Sequence, residues 1–93
     1  MNDLIPLKVV PSNRFKRELR LMERRNKDLS KMHDLIYLLR NCELLQPRHR
    51  DHPLKGNWKG FRECHIEPDW LLIYEIRGNE LRLERTGSHS DLF

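Results

Sequence analysis

Four of the chain's five histidines, His49, His52, His65 and His89, fall in its second half, spread through short strand-like runs. Imidazole has an unperturbed pKa of about 6.5, so both of its protonation states are accessible near neutrality. Three of the four stand beside other reactive or stacking groups. Asp51 precedes His52, Glu63 and Cys64 precede His65, and Ser88 precedes His89 close to Phe93. In a basic chain this combination points to acid–base chemistry on an anionic substrate. Cys64 beside His65 also suggests a nucleophile with its base. Adjacent strand residues point to opposite faces, so Cys64 reads instead as a small buried hydrophobe. With Cys42 it forms no C-x-x-C motif and no disulfide framework. A metal site built from His52, His65, His89 and Asp69 would rest on histidine spacings of 13 and 24 residues, without the close ligand pairs of structural zinc motifs. His33, on a helix, and His49, in a polar connector, read as structural or solvated.

The elements that must position these groups are short. Ninety-three residues, 38% hydrophobic and 34% charged, suit one domain over residues 1–93 with a thin core. Leu4 to Val10 is too short to span a bilayer and is interrupted by Pro6 and Lys8, and it lacks the layout of a signal peptide. The expectation is a cytoplasmic protein without a membrane partner. The net charge of +4 is uneven: residues 14 to 27 carry a local excess of +5, and the remainder is −1. A basic helix of this kind, with Arg17, Arg20 and Arg24 among its cations, suits a polyanion such as nucleic acid, a solvated face, or an acidic protein partner.

Leu4 to Val10 reads as a first strand, and Pro11-Ser12 as a break with Ser12 an N-cap. Phe15, Leu19 and Met22 recur at helical spacing, giving one apolar stripe with a basic opposite side. After Asn26 to Asp28, the wider stripe of Leu29, Met32, Leu35, Ile36, Leu38 and Leu39 predicts a second helix to about Leu45. Pro47 ends the helical part. Phe61 to Glu67 alternates, with Cys64 and Ile66 on one face and Glu63, His65 and Glu67 on the other. Glu67-Pro68-Asp69 is a turn. Trp70 to Ile76 is nearly continuously apolar and predicts a central strand, closed by a turn at Gly78-Asn79. Leu81 and Leu83 mark a last strand ending at Thr86-Gly87. The predicted class is α+β, in the order β-α-α-β-β-β, with two helices on one face of a small, mostly antiparallel sheet. The other face is then free for chemistry, and His52, Glu63, His65, Asp69 and His89 can converge on it.

The stretch DHPLKGNWKGFRECHIEPDWLLIYEI, followed by LRLERTGSHSDLF, resembles the RelE superfamily of type II toxin–antitoxin toxins, and most closely its YafQ branch. The likeness is dense over residues 51 to 93; over residues 1 to 50 it rests on helix order and leucine spacing. It implies the RelE-like microbial ribonuclease fold and a ribosome-dependent messenger-RNA endonuclease, using no metal or other cofactor. It also implies control by a cognate antitoxin, with DNA contact belonging to the antitoxin. Residue by residue, it places the catalytic set on His52, His65, Asp69 and His89. Trp70, Arg85 and Phe93 fall on positions for substrate placement or phosphate charge. Glu63 joins them, standing where an aspartate is expected. Strict alternation puts Arg85 on the core side with Leu81 and Leu83, so a bulge or an early strand end must re-aim it.

RNA carries its own nucleophile, the 2′-hydroxyl. Cleavage needs a base for that proton, an acid for the departing 5′-oxygen, and positive charge at the phosphorane. Histidines suit the first two tasks, Arg85 the third, and Trp70 and Phe93 offer faces for base stacking. Arg17, Arg20 and Arg24 would serve as a ribosomal-RNA handle. Two alternatives remain at this point: an RNA- or ribosome-binding protein without cleavage, and a metal-dependent nuclease.

Overall fold

The computed structural model describes residues 5–93. Its elements run β1 (Lys8–Pro11), α1 (Asn13–Arg24), α2 (Leu29–Arg40), β2 (His52–Pro53), β3 (Arg62–Glu67), β4 (Trp70–Arg77), β5 (Glu80–Gly87) and α3 (His89–Leu92), with 3₁₀ turns at Pro47–His49 and Gly56–Trp58. The five strands form one sheet in the order β1-β5-β4-β3-β2. All pairs are antiparallel except β1 with β5. The α+β class and the order of the main elements are as the sequence predicts, with a two-residue β2 and a one-turn α3 in addition.

Local chemistry explains the boundaries. Ser12 caps α1 by accepting the Phe15 N–H, and its own hydroxyl donates to the Glu84 carbonyl, tying the helix start to β5. Both long helices end in Schellman motifs. In α1, Asn26 takes the left-handed conformation and the N–H of Lys27 reaches the Met22 carbonyl. In α2, Cys42 takes that conformation and the N–H of Glu43 reaches the Leu38 carbonyl. The second helix therefore stops at Arg40, short of the predicted Leu45, and Pro47 opens a 3₁₀ turn instead of closing a helix. The first strand is also shorter and later than predicted. Leu7 donates its N–H to the Arg40 carbonyl rather than to the sheet, and Leu4 lies outside the described residues.

The main core lies between the helices and one sheet face. Phe15, Met22, Met32, Leu35 and Leu39 pack there on Cys64, Ile66, Trp70, Leu72, Tyr74, Leu81 and Leu83. The opposite face is not bare, as the helix-on-one-side layout suggests. A second, smaller cluster forms there, in which Leu71, Ile73 and Leu92 are packed by Leu54, Trp58 and Phe61. The loop before β3 and the C-terminal turn thus roof part of that face and narrow the space left for chemistry.

Candidate active site

Two rows of cross-strand neighbours build the site, because residues directly opposite in a ladder share a face. One row runs His52 on β2, Glu63 on β3, Ile73 on β4 and Arg85 on β5. The next runs His65, Leu71 and Gly87, and the chain then turns into α3 at His89. Arg85 reaches this face through a bulge. The register shifts between Ile73 and Tyr74, which pair with Arg85 and Leu83, so Glu84 is the unpaired residue and the alternation flips. A second slip follows His65. Glu67 thereby leaves the face predicted for it and is bound on the helix side by Lys27 at 3.0 Å and Lys31 at 2.8 Å.

The acid–base groups fall into two clusters. In the first, the buried carboxylate of Glu63 stands between two imidazoles, with Oε1 3.3 Å from Nε2 of His65 and 3.8 Å from Nε2 of His52. The Nδ1 of His52 lies 2.6 Å from the Arg50 carbonyl, and that of His65 lies 3.3 Å from the Pro68 carbonyl. In the second, Oδ1 of Asp69 accepts both the backbone N–H of His89 at 2.9 Å and its ring Nδ1 at 2.6 Å. A carboxylate only accepts, so Nδ1 of His89 carries the proton and Nε2 is the free nitrogen. These bonds hold the Asp69 carboxyl below the usual aspartate range. The rings of His65 and His89 meet edge to face with centroids 5.5 Å apart, which joins the clusters into one groove.

The family model of the bacterial toxin of type II toxin–antitoxin systems, YafQ, matches residues 7–93. The chain belongs to the YafQ toxin family. It is 46% identical over 83 residues to the mRNA interferase toxin YafQ of Escherichia coli K12, an alignment covering 88% of this chain and 90% of that protein. Among solved structures, a copper-bound mutant toxin from Helicobacter pylori superposes with a TM-score of 0.90 at 44% identity, covering 94% of this chain and 99% of the other. YafQ in the E. coli DinJ–YafQ toxin–antitoxin complex gives 0.87 at 42% identity, covering 96% and 99%.

Set against the assignments that this family suggests from sequence, the structure gathers His52, Glu63, His65, Asp69 and His89 at one groove and leaves Phe93 exposed beside it on α3's end. It changes three things. Asp69, placed in the catalytic set, serves to orient another member of it, His89. Trp70 is not in the groove: it is completely buried on the helix face, donates its indole N–H to Thr86 Oγ1 at 2.9 Å, and has no ring face open to a base. Arg85 is buried and already paired, its Nε and Nη2 donating to Glu18 on α1. That leaves Nη1 as the guanidinium nitrogen without a protein partner among the described residues.

Cys64, His49, His33 and the α1 arginines stand outside these two clusters. Cys64 is fully buried and burial pushes its thiol well up, so it is no nucleophile. His49 donates from Nδ1 to the His65 carbonyl at 2.7 Å, a structural bond that steadies β3 from behind. His33 is exposed on α2. Arg17, Arg20 and Arg24 are exposed on α1 and make no ion pair among the described residues. His65 and His89, 24 residues apart in the chain, are neighbours in the fold. Sheet pairing brings one ligand atom each from Glu63, His65 and His89 within 4.8 Å of one another, a donor set suited to a transition-metal ion.

Proposed function

We propose that this chain is a messenger-RNA endonuclease that acts on the ribosome by metal-independent acid–base catalysis. The observation that carries the reading is the contact of the His89–Asp69 pair with the Glu63–His65 pair. The two imidazoles touch edge to face, so an acid and a base stand within reach of one phosphate. His89, with Nδ1 held by a carboxylate, is the general acid, presenting Nε2–H to the departing 5′-oxygen. Glu63, His65 and His52 make up the base side. Arg85 supplies positive charge near the phosphate through its remaining nitrogen, and Phe93 supplies a stacking face. The products are a 2′,3′-cyclic phosphate or a 3′-phosphate and a 5′-hydroxyl.

The ribosome enters through α1. Arg17, Arg20 and Arg24 are exposed, make no ion pair among the described residues, and can meet RNA phosphates. Mapping 5′ ends on a defined message, with and without its start codon, tests this. Cutting only the translated message is expected; equal cutting of both removes the ribosome from the mechanism. Neutralising Arg17, Arg20 and Arg24 should weaken ribosome binding and flatten its salt dependence. The cytoplasm, where ribosomes are, is the matching location.

The copper-bound H. pylori relative favours one competing reading, in which a metal ion sits on Glu63, His65 and His89. Such an ion would supply Lewis-acid charge at the phosphate. Those three residues are the proton-handling groups of the metal-free scheme, so the readings exclude each other. Full cleavage in excess chelator is expected, and loss of cleavage restored by added metal overturns the scheme.

The E. coli complexes also support a protein antitoxin as partner. An acidic, partly disordered segment that folds on binding suits the cations of α1. It would block ribosome access sterically and leave the histidines uncovered. NMR titration of His65 and His89 with and without antitoxin should show nearly the same pKa values; large shifts at both would place the antitoxin in the groove.

A further inference from the structure

α3 is a single turn, and an isolated turn does not hold itself together, because helix nucleation is unfavourable. Yet it carries His89. Besides a long hydrogen bond from Arg85 Nη2 to the Asp91 carbonyl at 3.5 Å, three contacts hold the segment. Leu92 is buried in the small second core, and the His89 N–H is bound by Asp69. The third comes from α1, where Arg25 grips Asp91 in a fork, Nη1 to Oδ2 at 2.6 Å and Nη2 to Oδ1 at 3.2 Å.

Asp91 is the pivot of that fork. Its Oδ2 also accepts the Ser88 N–H at 2.8 Å, and its own N–H donates to the Ser88 hydroxyl, closing a capping box around His89. The box packs so tightly on β5 that a Cβ at Gly87 would stand 2.8 Å from the Asp91 Cβ. Only glycine lets the turn approach the strand this closely. Arg25 thus fixes the far end of a rigid unit of which His89 is a part, and it does so from the C-terminal end of the helix that presents Arg17, Arg20 and Arg24.

We infer that Arg25 and Asp91 are positioning residues for His89: the fork sets where α3 sits, and hence where the His89 imidazole stands against Asp69 and His65. The inference rests on the proposed catalytic role of His89, but its structural half stands apart from cleavage. A misplacement of about 1 Å in a reacting group can cost about 100-fold in rate, which is the scale the fork controls.

The test measures the two halves separately on the full-length protein. NMR reports the His89 ring resonances and the Nδ1–H bonded to Asp69, while single-turnover cutting on translating ribosomes and ribosome affinity are measured in parallel. Arg25→Gln and Asp91→Asn should each shift the His89 resonances and slow cutting about 10- to 100-fold, with ribosome affinity nearly unchanged. The double variant should be little worse than either single one, because both remove the same contact. Arg25→Lys keeps the charge without the fork and should recover only part of the rate. Unmoved His89 resonances in Arg25→Gln overturn the inference. So does a rate loss explained wholly by weaker ribosome binding. Shifted resonances in a protein whose wild type cuts no message would leave the fork's role standing and refute the nuclease reading.

Discussion

One oxygen of Asp69 binds His89 twice, taking its backbone N–H at 2.9 Å and its ring Nδ1 at 2.6 Å. This pair of hydrogen bonds fixes the main chain and the side chain of the same residue, leaving the imidazole one free nitrogen and little freedom to turn. A carboxylate in that position fixes the ring tautomer and orients the other nitrogen, the one a general acid presents to the leaving oxygen. His65, by contrast, has a neighbour at each ring nitrogen, the Pro68 carbonyl at Nδ1 and the Glu63 carboxylate at Nε2, both at 3.3 Å.

Asp69→Asn should therefore leave the fold intact, since Asp69 is largely exposed, and still slow single-turnover cutting. His89→Ala should cost about 10²- to 10⁴-fold. In the His89→Ala background, Asp69→Asn should add little, because its contribution passes through the imidazole. Equal additional losses in both backgrounds would show that Asp69 acts on something other than His89.

Trp70 and Phe93, alike in the sequence reading, should separate in experiment. Trp70→Ala should lower unfolding free energy by about 3–5 kcal/mol, as removal of a buried aromatic side chain does. Phe93 is 61% exposed, so Phe93→Ala should stay within about 0.5 kcal/mol in stability. Its effect should appear as weaker substrate affinity, by about 1–3 kcal/mol if a base stacks on it. Denaturant unfolding beside binding measurements decides this; a destabilised Phe93→Ala that binds normally would remove its stacking role.

These two aromatics show where sequence reasoning stops. The helices, the hairpin at Gly78-Asn79 and the central strand were legible because apolar spacing and turn residues act locally. The face of Trp70 was not, since β4 is apolar on both sides and alternation carries no information there. The end of α2 was hidden because a cysteine, not glycine, takes the left-handed position. The need to re-aim Arg85 was visible in the alternation, but not that Glu18, 67 positions away, would hold it. Asp91 could have been found, since Ser88 and Asp91 have capping-box spacing. Arg25 as its partner could not, because no local rule links residues 66 apart.

The two cysteines should differ sharply toward alkylating reagents. Cys42 is exposed, whereas Cys64 is fully buried with its thiol pushed well up. Thiolate is the reactive form, so Cys42 should label in the native protein and Cys64 only after unfolding. Cys64→Ala should keep its catalytic activity apart from a loss of stability. Rapid native labelling at Cys64, or inactivation by that change in a folded protein, would return it to the list of nucleophiles.

Acid should remove the stability that Asp91 contributes. The Arg25 guanidinium and the Ser88 N–H hold the Asp91 carboxyl far below the ordinary aspartate value. An Asp in the unfolded chain titrates near about 3.9, so the depressed folded value contributes stability that is fully present above that pH. The contribution is lost as pH falls below about 3.9 toward the folded value, because protons then bind the unfolded chain first. Glu67, lowered by Lys31 and Lys27, acts in the same direction from its own unfolded value of about 4.3. Wild type should thus exceed Asp91→Asn in stability by a constant margin at neutral and mildly acidic pH, and the margin should shrink below about pH 4. Urea unfolding of both proteins across that range measures it, with the His89 resonances as a local probe. A margin independent of pH would mean that the Arg25–Asp91 fork contributes nothing to the acid response, leaving Glu67 and its two lysines to account for it.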